Sequence, residues 1–159
     1  HSSPRRQRQM CIRDRVTRVI QKYPQISSIH IVSHGGPGYL CLGNSQLDIN
    51  SINNNYTQEL EAWSVSNLLL YGCNVAAGDS GAEFIEKLRQ LTGANIAASA
   101  RLTGNVALGG DWELEVIRGE LEVDVPFTQE TQQQWDYVLA AVVSINATGT
   151  PTELSLIHI

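Results

Sequence analysis

Residues 67–77 read NLLLYGCNVAA. Leu68, Leu69, Leu70 and Tyr71 form a continuous apolar run, the pattern of a strand buried on both faces of a parallel sheet. Gly72 breaks the run and Cys73 follows, where the strand ends and the chain emerges. Upstream, the apolar strand IHIV (29–32) is succeeded by Ser33, His34, Gly35 and Gly36, so the same grammar occurs twice. Two buried strands thus deliver one histidine and one cysteine to one edge of one sheet. In open α/β sheets ligands bind beyond the carboxyl ends of the strands. His34 and Cys73 are therefore the strongest functional signal in the chain.

The segments around this pair fit the same architecture. Between the two strands, Ile52, Tyr56, Leu60 and Trp63 recur at helical spacing, with Asn50 or Ser51 available to cap. That is the crossover helix parallel strands require. After Cys73 a second helix, N-capped by Asp79 or Ser80, buries Phe84, Ile85, Leu88 and Leu91 and stops at Thr92-Gly93. Residues 94–99 read as a third buried strand. Ahead of the first strand, Val16, Val19, Ile20 and Tyr23 mark a short helix that Pro24 helps to end. Residues 35–38 make a turn of little bulk, and 39–42 with 46–49, separated by GNS, make a small hairpin. Later, Gly109-Gly110 introduces a hairpin of 112–117 and 120–125, turning at Arg118-Gly119. Residues 128–139 form a last helix anchored by Trp135 and Leu139. The expected fold is a three-layer α/β domain with a mainly parallel sheet and helices on both faces.

The two ends read differently. RRQRQMCIRD (5–14) and LSLIHI (154–159) resemble in-frame translations of a transposase-type sequencing adapter and of its reverse complement. Residues 1–14 and 154–159 are accordingly expected to be foreign to the domain and to pack against nothing. The domain proper is then 15–139, with 140–153 a linker or the first strand of a following domain. Without the ends, two of the four histidines and one of the three cysteines drop out, leaving His30, His34, Cys41 and Cys73. The formal charge of −5 becomes −8, because Arg5, Arg6, Arg8, Arg13 and Asp14 are removed. About 140 residues suffice for one core without disulfides. An acidic domain without a basic stripe argues against nucleic acid as a partner, and no apolar run is long enough to insert into a membrane.

The stretches SHGGPG (33–38), LLYGCNVAAGDSG (69–81), TGANIAAS (92–99) and LTGNVALGGDWELE (102–115) resemble the bacterial domain-of-unknown-function family numbered 4347, within the caspase/gingipain-like group of cysteine peptidases. The resemblance covers residues 16–139. It implies a caspase-like fold, a histidine from the HG motif (His34) and a nucleophile after the next strand (Cys73). It also implies backbone N–H groups of Gly35 and Cys73 facing the tetrahedral oxyanion, and no cofactor. The family carries a further strand and helix upstream, so the resemblance implies a sheet truncated at its N-terminal strand, with apolar surface uncovered beside residues 26–32. Family members resemble modules of long bacterial surface or secreted proteins. This implies an extracellular or cell-surface location and a polypeptide substrate, the parent chain included.

The chemistry of the pair is consistent with that implication. The thiolate is the attacking species, and an unperturbed cysteine is mostly protonated at neutral pH. A histidine within reach accepts that proton and returns it to the leaving amine. Glycines at 35 and 36 leave room for a substrate backbone. Ser99, Arg101 and Asp111, at and beyond the end of the third strand, are candidates for a substrate pocket, although Asp111 equally suits the start of a hairpin. His30 reads as a core histidine and Cys41, between Leu40 and Leu42, as a half-buried small hydrophobe. Asp79-Ser80-Gly81 lacks the strand-to-elbow context of a serine nucleophile. Beyond His30 and His34 themselves, no pairing of histidines and cysteines has the spacing of a zinc site. A catalytically silent structural or adhesion module keeping the same fold is the competing reading.

Overall fold

The computed structural model describes residues 12–42, 45–121, 129–134, 143–146 and 153–158. Its elements are α1 (Ile12–Lys22), β1 (Ser28–Val32), β2 (Gly35–Gly36), β3 (Tyr39–Leu42), β4 (Ser45–Asp48), α2 (Ile49–Ser51), a π-helical turn (Ile52–Tyr56), α3 (Thr57–Glu61) and β5 (Asn67–Tyr71). There follow α4 (Gly78–Thr92), β6 (Asn95–Ala98), a 3₁₀ turn (Val106–Leu108), β7 (Val116–Arg118), α5 (Gln129–Gln134), β8 (Val143–Asn146) and β9 (Glu153–His158). The main sheet runs β7-β6-β5-β1-β9-β8. Its four central strands are parallel and its two outer strands antiparallel. The fold is α/β, as the alternation of buried runs and helices requires.

Strand alternation divides the sheet into two faces. Ile29 and Ile31 of β1, Leu68 and Leu70 of β5, and Ile96 and Ala98 of β6 face one side. There they meet Val16 and Ile20 of α1, Ile52 and Leu60 of the crossover, and Phe84, Ile85 and Leu88 of α4. Trp63 closes this layer; it is fully buried and its Nε1 donates to the Thr17 hydroxyl at 2.9 Å. On the opposite side Val32, Leu69, Tyr71 and Ala97 pack under Trp112 and Leu114. Helix α5 lies beside this second layer, sharing a cleft of about 300 Å³ with Asn105, Val106 and Trp112. His30 is 3 % exposed and stacks on Tyr71, their ring planes 10° apart, which is the core role its sequence position predicts. No helix among the described residues is long and apolar enough to cross a membrane.

Several boundaries differ from expectation. Asp48, not Asn50 or Ser51, caps the crossover: its carboxylate accepts the Ser51 N–H at 2.7 Å while the Ser51 hydroxyl accepts the Asp48 N–H at 2.9 Å. Helix α4 begins on Ala77 with no side-chain cap, so neither Asp79 nor Ser80 plays that part. Its end is as expected, with Gly93 in the left-handed region at φ 70° donating to the Arg89 carbonyl. The hairpin of 39–49 is present with Tyr39 opposite Asp48, and Gly35–Gly36 joins it as a third short strand. Residues 112–115 form no strand. Strand β7 covers only Val116–Arg118 and pairs antiparallel with β6, while most of the expected second arm, 120–125, lies outside the described residues. Trp135, Leu139 and residues 122–128 lie outside the described residues.

The expectation that 154–159 packs against nothing is not met. Strand β9 runs parallel to β1 in register, from Ser28 opposite Glu153 to Val32 opposite Ile157. Strand β8 pairs antiparallel with β9, so part of the expected linker joins the same sheet. The edge of β1 is therefore covered, and the uncovered surface expected beside residues 26–32 is absent. The physical reason is general. A strand edge offers a row of unpaired N–H and C=O groups that accept any extended apolar segment, whatever that segment's origin. At the other end, α1 starts at Ile12, inside the adapter-like stretch.

Candidate active site

Strands β1 and β5 end together, with Val32 opposite Tyr71. The ladder continues one residue further, the Ser33 N–H donating to the Tyr71 carbonyl at 3.0 Å. His34 stands two residues past Val32, and Cys73 two past Tyr71. The two backbones stay close beyond the strands. A Cβ built on Gly72 would lie 3.0 Å from the Ser33 carbonyl oxygen, and one on Gly35 would lie 3.4 Å from that of Cys73. The His34 carbonyl accepts from the Cys41 N–H at 2.8 Å and from the Ser33 hydroxyl at 3.1 Å, which fixes the backbone that carries the imidazole. The imidazole is half-buried, and desolvation holds its pKa below the usual histidine value. At neutral pH it is uncharged, the state a general base needs.

Cys73 is 8 % exposed and belongs to the layer of Val32, Tyr71 and Trp112. Its Sγ accepts the Thr103 N–H at 3.4 Å and donates to the Thr103 carbonyl at 3.7 Å. One residue of a neighbouring segment thus grips the sulfur from both of its backbone groups. Asn74, immediately after, adopts φ +59° and donates its N–H to the Arg101 carbonyl at 2.9 Å. Asparagine is among the few side chains that tolerate this region. Gly35 and Gly36 serve packing here: a Cβ on Gly35 would meet Val75 Cγ2 at 2.5 Å, and one on Gly36 the Tyr39 ring at the same distance.

Of the pocket candidates, Ser99 is fully buried and its hydroxyl closes a turn, donating to the Arg101 carbonyl at 2.9 Å. Arg101 and Asp111 are brought together at the surface. The guanidinium pairs with Glu115 at 2.7 Å, Glu113 at 3.4 Å and Asp111 at 3.5 Å. Burial pushes the Glu115 carboxyl up, but hydrogen bonds from Arg101 and the backbone N–H groups of Glu115 and Ala100, with the Arg101 charge, bring it below its usual value. Such a carboxylate stabilises the fold above its unfolded pKa and loses that contribution as pH falls through the lower folded value. Arg101→Gln should therefore lower the urea midpoint slightly at neutral pH, in keeping with an exposed pair. The gap to the wild type should close in acid; a gap that widens there would contradict the assignment.

The family model described as Domain of unknown function (DUF4347) matches residues 8–139. The chain belongs to this family. No curated protein and no solved structure matches it.

Within this DUF4347 domain, the residues that sequence reasoning passed over are Thr103, Asn74 and Glu115. Thr103 acts through its backbone, which leaves no compositional trace. The Asn that follows Cys73 carries a readable signal, since Asn is enriched where φ is positive. Cys41 sits half-buried between fully buried Leu40 and Leu42, as expected, and burial raises its thiol pKa.

Proposed function

We propose that this DUF4347 domain is a cysteine endopeptidase of the caspase/gingipain-like group, acting on polypeptides that include its own parent chain, in an extracellular or cell-surface protein. The observation that carries the reading is the equal offset of His34 and Cys73 from the last paired residues of adjacent parallel strands. In the reaction, the Cys73 thiol gives its proton to the neutral His34 imidazole while sulfur bonds to the scissile carbonyl carbon. The C–N bond then breaks, the leaving amine taking the proton from the imidazolium. Water hydrolyses the resulting thioester and frees the thiol. The N–H groups of Gly35 and Cys73 are the oxyanion donors in this scheme, each of a kind worth about 10²–10³ in rate. Arg101 and Asp111, paired at the surface, are the pocket residues in this scheme, while Ser99, fully buried with its hydroxyl on the Arg101 carbonyl, supports their turn from within and does not itself line a pocket.

The second reading, a catalytically silent structural or adhesion module, draws on a specific observation: the Cys73 sulfur is buried and engaged by Thr103. The full-length protein assayed against peptides with basic and acidic P1 residues, with and without calcium, separates the two. The endopeptidase gives cleavage that iodoacetamide blocks. Because burial depresses the His34 pKa, the acid limb of that cleavage falls below about pH 6.5. Absence of thiol-dependent cleavage under all these conditions leaves the silent module as the correct reading.

A further inference from the structure

Residues 111–115, DWELE, turn Trp112 and Leu114 inward and Glu113 and Glu115 outward, yet 112–115 belong to no strand. No sheet ladder holds this strap down. Its inward side chains share one buried cluster with Cys73, Trp112 and Leu114 being 6 % exposed and Cys73 8 %. At its base, the Asp111 N–H donates to the Leu102 carbonyl and the Asp111 carbonyl accepts from Gly104, both at 3.0 Å. Those two residues bracket Thr103, whose backbone engages the Cys73 sulfur. Along its outer side the strap is tied by side chains. The Arg101 guanidinium, 60 % exposed, pairs with Asp111, Glu113 and Glu115, and the Glu115 carboxylate also accepts the Ala100 N–H at 3.1 Å.

We propose that strap 111–115 is a lid over Cys73, latched by Arg101, and that the latch regulates access to the sulfur. A scissile carbonyl must come within about 3–3.5 Å of its nucleophile, and a sulfur shut inside this cluster admits no polypeptide. The strap has the build of a segment that opens locally, without global unfolding. Its ties on the outer side are ion pairs in solvent, each weak and screened by salt, while Trp112 and Leu114 supply the apolar burial that closes it again. The regulatory sense rests on reading Cys73 as the nucleophile; the opening itself does not.

The test uses the full chain carrying Cys11→Ser and Cys41→Ala, so that Cys73 is the sole thiol, at one fixed pH. Hydrogen exchange at the Gly104 and Asp111 amides reads the opening of the strap, and the iodoacetamide alkylation rate reads access to Cys73. Arg101→Gln should speed both by about three- to tenfold, the worth of a few exposed ion pairs, with Arg101→Lys in between. Arg18→Gln removes the same charge from α1, on the other face of the sheet, and should change neither rate. Raising sodium chloride from about 0.05 to about 0.5 M should speed both rates in the wild type and add little in Arg101→Gln. If circular dichroism shows that Arg101→Gln does not fold, the salt response of the wild type decides. Unchanged rates overturn the proposal, and so does faster alkylation with unchanged exchange at Gly104 and Asp111. Opening without thiol-dependent cleavage in any variant would reject the endopeptidase and leave the latched strap standing. Cleavage by a wild type whose two rates ignore both salt and Arg101→Gln would do the reverse.

Discussion

Cys73→Ala in the full-length protein is expected to remove peptide hydrolysis and any self-cleavage while leaving the fold intact. Alanine keeps the Cβ and loses only the sulfur, whose hydrogen bonds among the described residues are the two long ones to Thr103; the layer of Val32, Tyr71 and Trp112 stays otherwise filled. Activity responds quite differently. Without the nucleophile only binding and the oxyanion donors remain, a loss of at least about 10³-fold. His34→Ala should cost about 10²–10⁴-fold, the worth of a positioned base and acid. Cys41→Ala should change little, because Cys41 reaches the site through its N–H to the His34 carbonyl, which alanine retains. The three variants, assayed against the same peptides and compared by thermal melting, make the outcome unambiguous. Hydrolysis by Cys73→Ala at the wild-type rate would remove Cys73 from the chemistry.

What could be read from the sequence was the part fixed by burial on both faces. The strands β1, β5 and β6 and the helix α4 are apolar runs and an amphipathic stretch with a terminal glycine, and each lies where its pattern points. The edge that carries His34 and Cys73 follows from those strands being parallel neighbours. Other features imitate a different structure. Trp112 and Leu114 are buried while Glu113 and Glu115 face solvent, which is strand-like alternation. The segment is instead an extended strap over the sheet, its outward carboxylates turned to Arg101. Asp48 was hidden as a cap because it is also the last residue of a strand. The pairing of β9 depends on a free edge, a property of the assembled sheet and not of any one segment. The Thr103 grip on Cys73 was out of reach because backbone N–H and C=O groups are common to every residue.

Gly81→Ala is expected to destabilise the domain by about 1–3 kcal/mol, the range of overpacking in a filled interior. On an exposed helix the same change would stabilise, by up to about 1 kcal/mol, since alanine is the better helix former. Here packing decides the sign. Gly81 is buried in the first turn of α4, and a Cβ there would fall 2.6 Å from the Ala76 carbonyl oxygen and 2.7 Å from its Cα. These are backbone atoms that cannot rotate aside, so the helix or the 72–77 segment must move. That segment is tied down on both sides, the Ala76 N–H donating to the Ser99 carbonyl at 2.9 Å and the Val75 carbonyl accepting from Gly38 at 3.1 Å. The displacement should therefore reach Cys73, three residues before Ala76, and change its alkylation rate as well as the stability. Gly93→Ala is the matched comparison, because Gly93 has open space around it and only a left-handed φ of 70° to strain. Its cost should stay near the ~1–2 kcal/mol of an alanine held in that region, with Cys73 reactivity unchanged. A urea midpoint for Gly81→Ala equal to or above that of the wild type would mean that α4 is not seated on Ala76 as described.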